Sequence, residues 1–136
     1  MFIQRLFDFW FRVLQKKSMK DVKKLTVWNQ GISVVESIYK LSFTFPKEEK
    51  YSLCDQMRRS AISIPSNISE GCSRNSEKDK ARFLEIALGS SFELETQLLI
   101  CQRLGYLNQK DLEILVESIT QIQRMLSGFM AKLRKV

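Results

Sequence analysis

A chain of 136 residues with 44% apolar content can bury one core but is too short for two comfortable domains. It contains no histidine, which excludes Ser-His and Cys-His nucleophile pairs and the Glu-x-x-His metal pairs of di-iron bundles. The formal charge of +7 favours an anionic partner such as nucleic acid or a membrane surface, although many solvated helical surfaces are basic without binding anything.

Residues 1–18 crowd Phe2, Ile3, Leu6, Phe7, Phe9 and Trp10 around Arg5, Asp8 and Arg12. This leader is too short and too charged to span a bilayer. It also lacks the uninterrupted apolar region and small-residue cleavage site of a secretory signal. Two readings are open: an amphipathic surface helix with Arg12, Lys16 and Lys17 near lipid headgroups, or an upstream extension before a start at Met19.

The first long helix is expected over 22–42. Val27, Gly31, Val34 and Ile38 form one apolar stripe, and Trp28, Ile32, Val35 and Tyr39 form a second beside it. That is more apolar arc than one core needs, so an extra partner is implied. The second helix is expected to start at Pro46, with Glu48 and Glu49 in its first turn, and to end near Gly71. Its seam is Cys54, Met57, Ala61, Ile64 and Ile68, and Pro65 sits within it, where a proline costs about 3 kcal/mol. A kink is expected there. The third helix should be capped by Ser76 and terminated by Gly105, with Leu84, Ala87, Ser91, Leu94, Leu98 and Cys101 inward. Asn108 should cap the fourth, whose Leu112, Leu115, Ile119, Ile122, Leu126, Phe129 and Leu133 alternate spacings of three and four. No strand pattern competes. Short loops force antiparallel neighbours, so the expected fold is all-α: an antiparallel up-down-up-down four-helix bundle with its second helix kinked at Pro65.

Three sequence words carry a family likeness: Arg58-Arg-Ser-Ala-Ile-Ser-Ile-Pro-Ser-Asn-Ile-Ser-Glu-Gly71, Arg82-Phe-Leu-Glu-Ile-Ala-Leu-Gly-Ser90, and Glu93-Leu-Glu-Thr-Gln-Leu98 with Leu104-Gly-Tyr-Leu107. They resemble the four-helix-bundle proteins encoded in bacterial 23S rRNA intervening sequences, also called S23-type. The likeness runs from about Lys24 to Leu133, which favours the extension reading of residues 1–18 and leaves 19–136 as the bundle. It implies a ring-forming homopentamer associated with rRNA intervening sequences. It also implies similarity to accessory proteins that assist reverse transcriptases in diversity-generating retroelements.

Candidate chemistry is sparse. The three cysteines Cys54, Cys72 and Cys101 are an odd number without C-x-x-C spacing, arguing against a zinc site and a disulfide framework and for reduced thiols in a cytoplasm. No lysine falls on an apolar seam, no glycine-rich phosphate loop is present, and Glu93 and Glu95 point to different helix faces. No enzyme activity, metal or cofactor is therefore expected. In a hairpin turning near residues 75–77, Arg59 falls opposite Glu93 and Glu70 opposite Arg82, so two structural ion pairs are expected, with Gly89 allowing close approach between the helices. The competing reading has Arg58, Arg59 and Asn67 binding a ligand or RNA; the packing reading is preferred.

The bundle topology gathers Lys20, Lys23, Lys24, Arg74, Lys78, Lys80, Lys132, Arg134 and Lys135 at one end, with Arg82, against Asp21, Glu70, Glu77 and Asp79. The opposite end is close to neutral. Such asymmetry suits phosphate, while aromatics for base stacking are lacking, so binding to RNA should be electrostatic and weakly sequence-specific. The expected protein is a non-enzymatic, cytoplasmic homo-oligomer without stable membrane insertion, partnered by structured RNA or a ribonucleoprotein. A retroelement accessory protein and a protein-only scaffold are the alternatives.

Overall fold

The computed structural model describes residues 1–9 and 21–134, and every regular element among them is helical. Helix α1 occupies residues 2–9, α2 Thr26–Ser42, α3 Leu53–Ser73, α4 Glu77–Arg103 and α5 Gln109–Arg134, with 3₁₀ turns at Val22–Lys24 and Lys47–Glu49. The rest of the leader, with Lys20 and Lys135, lies outside the described residues.

Local chemistry explains both ends of α4 and the start of α5. The Ser76 hydroxyl accepts the Asp79 N–H at 3.1 Å and caps α4. Asn108 caps α5 through Asp111 N–H at 2.8 Å and returns its own amide to the Asp111 carboxylate at 3.0 Å. Gly105 takes φ +82°, and bonds from Tyr106 N–H to Cys101 O and from Gly105 N–H to Gln102 O close α4 in a Schellman motif.

Two expected starts move. The first long helix does not run from Val22, because Leu25 is extended at ψ 124° and separates the 3₁₀ turn from α2. The second does not start at Pro46: only a 3₁₀ turn follows it, Ser52 sits at φ −120° and ψ −94°, and α3 begins at Leu53. Lys47, Glu48, Lys50 and Tyr51 are all exposed, so this stretch has no apolar face to stabilise a helical turn.

The four long helices enclose one core that includes Ile38, Ile64, Leu94, Leu98, Ile119 and Ile122. Each packs on its chain neighbour, α3 on α4 most extensively, and α2 also meets α5. Residue numbers rise on one helix as they fall on the next: Cys101 meets Met57 and Ser90 meets Ser63, while Glu95 meets Gln123 and Glu85 meets Arg134. The inward seam of α4 is the expected one, fully buried from Leu84 to Cys101. On α5 the buried series ends at Met130, with Leu115, Phe129 and Leu133 only half-buried. A straight helix of 3.6 residues per turn drifts off a strict seven-residue repeat, which accounts for the shift.

Helix α3 continues across Pro65, whose ring is buried against Gly31 of α2. A methyl group on Gly31 would lie 3.4 Å from Pro65 Cβ. The Asn67 side-chain amide donates back to Ser63 O at 2.8 Å and Ser63 Oγ at 2.9 Å, adding bonds in the same stretch of helix, while the carbonyl that the proline leaves without its helical donor is that of Ala61. Gly71 is the tighter glycine, since a Cβ there would stand 3.2 Å from Lys80 O and 3.2 Å from Phe83 Cβ. The expectation for Gly89 fails: the position is exposed, and nothing lies within 4 Å of the space its Cβ would fill.

Opposite responses to one substitution follow from these surroundings. Gly71→Ala is expected to destabilise by about 1–3 kcal/mol through overpacking against backbone. Gly89→Ala should stabilise by about 1 kcal/mol through helix propensity alone. Urea midpoints of the two variants check both signs, and a destabilised Gly89→Ala would show that this face is covered in solution.

Candidate nucleic-acid interface

Three segments build the basic end. The chain enters on the Val22–Lys24 turn, where Asp21 Oδ1 accepts Lys23 N–H at 3.3 Å and the Asn29 amide donates to Lys23 O at 2.7 Å and Leu25 O at 3.0 Å. This fixes Lys23 and Lys24 as exposed side chains on a tied turn. Lys78 is exposed in the capped first turn of α4, and Lys132 in the last turn of α5. The Arg134–Glu85 ion pair joins α5 to α4 there, beside a groove of about 720 Å³ lined by Glu77, Lys78, Asp79, Arg82 and Leu133.

Several of the expected phosphate ligands already face carboxylates. Arg74 pairs with Glu70 and its guanidinium lies 4.6 Å from the centre of the Phe83 ring; Lys80 Nζ is 3.2 Å from Glu77. With Arg134 on Glu85, the end holds one carboxylate more than the sequence reading counted. The Arg74 and Arg134 pairs are solvent-exposed and the Lys80 pair half-buried, and exposed pairs contribute about 0–1 kcal/mol, so a phosphate group can compete for the two arginines. Lys23, Lys24, Lys78 and Lys132 form no ion pair among the described residues.

The two expected structural ion pairs are corrected. Among the described residues neither Arg59–Glu93 nor Glu70–Arg82 forms: Glu70 takes Arg74, the extended residue that follows α3, and Arg82 stands at the groove. Arg59 and Glu93 are both exposed, and Glu93 instead accepts the Gln97 amide at 3.4 Å. Ser63 and Ser90 meet at 2.7 Å between these levels, while the outer Arg59 and Glu93 are exposed and need no protein partner. Gln97 Oε1 is buried and has no hydrogen-bond partner among the described residues.

Arg58, the other candidate ligand of that helix, has a packing role at the far end. Its Nε donates to Ser42 Oγ at 3.0 Å, and its guanidinium lies 4.8 Å from the Tyr39 ring centre and 5.4 Å from that of Phe43. A cation is thus held at the C-terminus of α2, where the helix dipole favours it. The aromatic-rich end of α2 was the available signal. A second groove, of about 650 Å³, opens between α2 and α5 beside Asn29, Ser33 and Arg124 and is crossed by the Gln30–Gln121 hydrogen bond.

The buried thiols are inert by environment. Cys101 donates to Met57 Sδ at 3.3 Å, and burial, then the neighbouring Cys54, pushes its pKa from 9.0 to about 11. Burial also raises Cys54, whose thiol donates to Ser42 O at 3.7 Å. No group of three or more potential metal ligands occurs among the described residues.

Cys54 and Cys101 should therefore resist a thiol reagent at pH 8 until denaturant is added. Because the folded state holds the Cys101 proton more tightly, that stabilisation is complete below pH 9 and is lost as pH rises towards about 11. Urea midpoints across this window should fall more steeply for the parent than for Cys101→Ala.

Comparison with known proteins places this geometry in context. Residues 23–128 match the 23S rRNA-intervening sequence protein family. The chain is similar to the crystal structure of a protein of unknown function from the S23 ribosomal protein family of Bacteroides thetaiotaomicron, with TM-score 0.72 and 26% identity over 77% of this chain and 98% of that one. No curated protein matches.

Proposed function

Because the chain belongs to the 23S rRNA-intervening sequence protein family, we propose that it is a non-enzymatic, cytoplasmic scaffold whose basic end associates with structured RNA. Its architecture in this reading is an antiparallel up-down-up-down four-helix bundle kinked at Pro65. One observation carries the proposal: Lys23, Lys24, Lys78 and Lys132, from three separate segments, are exposed at one end of the molecule. Nothing about that end requires base-specific contacts. Its aromatic Phe83 is half-buried beneath Arg74, so recognition rests on phosphate charge and shape.

Self-association completes the reading. Trp28, Ile32 and Val35 of α2 are half-buried and, with Ile62 and Pro65 of α3, line an apolar groove of about 460 Å³. A second copy seated there would cover the surplus stripe, and the family likeness makes a pentamer the expected size. A ring would repeat the basic end on one rim and raise affinity for a long RNA through effective concentration. The protein-only scaffold is favoured by one fact, that Arg74, Lys80 and Arg134 each already face a carboxylate.

Filter binding with structured RNA across a salt series separates the two. Log affinity should fall linearly with log salt, and Lys24→Gln, Lys78→Gln and Lys132→Gln together should reduce the magnitude of that slope by about 3 while leaving helicity unchanged. Changing Lys47, Lys50 and Lys110 at the other end should leave it intact. Equal slopes for both triple variants, or no RNA affinity at low salt, would leave the protein-only scaffold. Native mass spectrometry is expected to give an oligomer, and a monomer at micromolar concentration would remove the ring from either reading.

A further inference from the structure

The groove between α2 and α5 differs from the apolar one between α2 and α3. Asn29, Gln30 and Ser33 line one wall and Gln121, Arg124 and Met125 the other, around about 650 Å³, a volume within the roughly 300–1,000 Å³ of small-ligand sites. Its hydrogen-bonding groups are only partly used. The Asn29 amide nitrogen donates to Lys23 O and Leu25 O and that of Gln30 to Gln121, whereas the side-chain carbonyl oxygens of Asn29 and Gln30 receive no donor among the described residues. Arg124 is exposed and forms no ion pair among the described residues. Half-buried Met125 adds a polarizable apolar surface. Together these offer amides to a base edge, a thioether to its face and a cation to its phosphate.

Position ties this groove to the basic end. Because Asn29 is bonded to the Lys23 carbonyl, the turn that exposes Lys23 and Lys24 stands at the mouth of the groove. On α5, Gln121, Met125, Gly128 and Lys132 are spaced by four, three and four residues and share one face, with Lys132 about 16 Å along the axis from Gln121. Nothing lies within 4 Å of the space a Gly128 side chain would fill, so the path between them is open. Glu117, which accepts the Gln121 amide at 3.4 Å, lies one turn farther from the lysines. A strand whose phosphates rest on the lysines is thus led towards the amides. Paired RNA cannot use them, since its bases face each other and its major groove is too deep and narrow for side chains to read.

We propose that the α2–α5 groove takes up an unpaired nucleotide of the RNA bound at the basic end, a role that rests on the RNA reading above. Arg124 holds the phosphate, and Gln30 and Gln121 exchange their mutual bond for bonds to the base. That bond is exposed to water, so its exchange costs little. An amide turned over swaps donor for acceptor, so the site accepts more than one base and favours unpaired RNA without reading sequence.

Filter binding of the full chain with two RNAs tests this: a blunt hairpin, and the same hairpin carrying a short unpaired tail. The parent is expected to bind the tailed RNA about tenfold more tightly, as stacking and edge contacts to an unpaired base allow. Gln30→Ala with Gln121→Ala should remove most of that advantage, and Ser33→Phe, which fills the groove without changing charge, should do the same. Neither should alter affinity for the blunt hairpin or the thermal midpoint. Arg124→Gln should reduce the magnitude of the salt slope by about 1 for the tailed RNA only. The proposal is overturned if the blunt hairpin binds and the tail adds nothing, or if the advantage survives both groove variants. It is also overturned if Ser33→Phe changes assembly size without RNA, because the groove would then be a contact between copies. Absence of binding to either RNA would instead overturn the RNA reading itself, and this role with it.

Discussion

Close approach of α3 to both of its neighbours is the constraint on which the remaining packing depends. On one side the Pro65 ring fills the space left by Gly31; on the other, Gly71 lets the backbone of α4 pass at van der Waals distance. A proline inside a helix costs about 3 kcal/mol in isolation. Here its ring is buried against α2, a gain in apolar contact that offsets part of that cost. With α3 fixed between α2 and α4, Ile64 and Ile68 project into the common core and α5 closes the remaining side.

Charge is organised on two length scales. Nearest-neighbour ion pairs, Glu70 with Arg74 at the end of α3 and Glu77 with Lys80 in the first turn of α4, are local in sequence and do little beyond local neutralisation. The larger pattern comes from topology, which brings the chain entry, the α3–α4 turn and the end of α5 together. Lysines far apart in sequence thereby act as one surface, and their field reaches about a Debye length of 8–10 Å at physiological salt.

Features set within one turn of chain were legible in the sequence. Ser76, Gly105 and Asn108 each behave as their side chains or backbone freedom dictate, because a cap needs only its own next turn. The burial of the α4 seam was equally legible from spacing. Pro46 misled because a favourable φ does not supply the apolar face that a helix start needs. Arg59 and Glu93 misled for a different reason: hairpin arithmetic gives height along the helices, while solvation is decided by angle around them. Gly89 was invisible in the same sense, since a small residue reads as a contact site whether or not another chain segment reaches it. Arg58 illustrates the converse, a charged residue whose role depends on Tyr39, Ser42 and Phe43 of another helix.

The hydroxyl pair between Ser63 and Ser90 has a consequence for alternative packings of the same hairpin. Apolar seams are permissive to sliding, because a leucine moved by one turn meets another apolar side chain. A slide of α4 past α3 by one turn, about 5.4 Å, would instead set the Ser63 hydroxyl opposite Ala87 or Leu94. Losing the hydroxyl partner costs about 1 kcal/mol, while the bond from the Asn67 amide to Ser63, made within α3, would be kept. A contact that adds little to total stability thus selects one register from several that the hydrophobic pattern alone would tolerate.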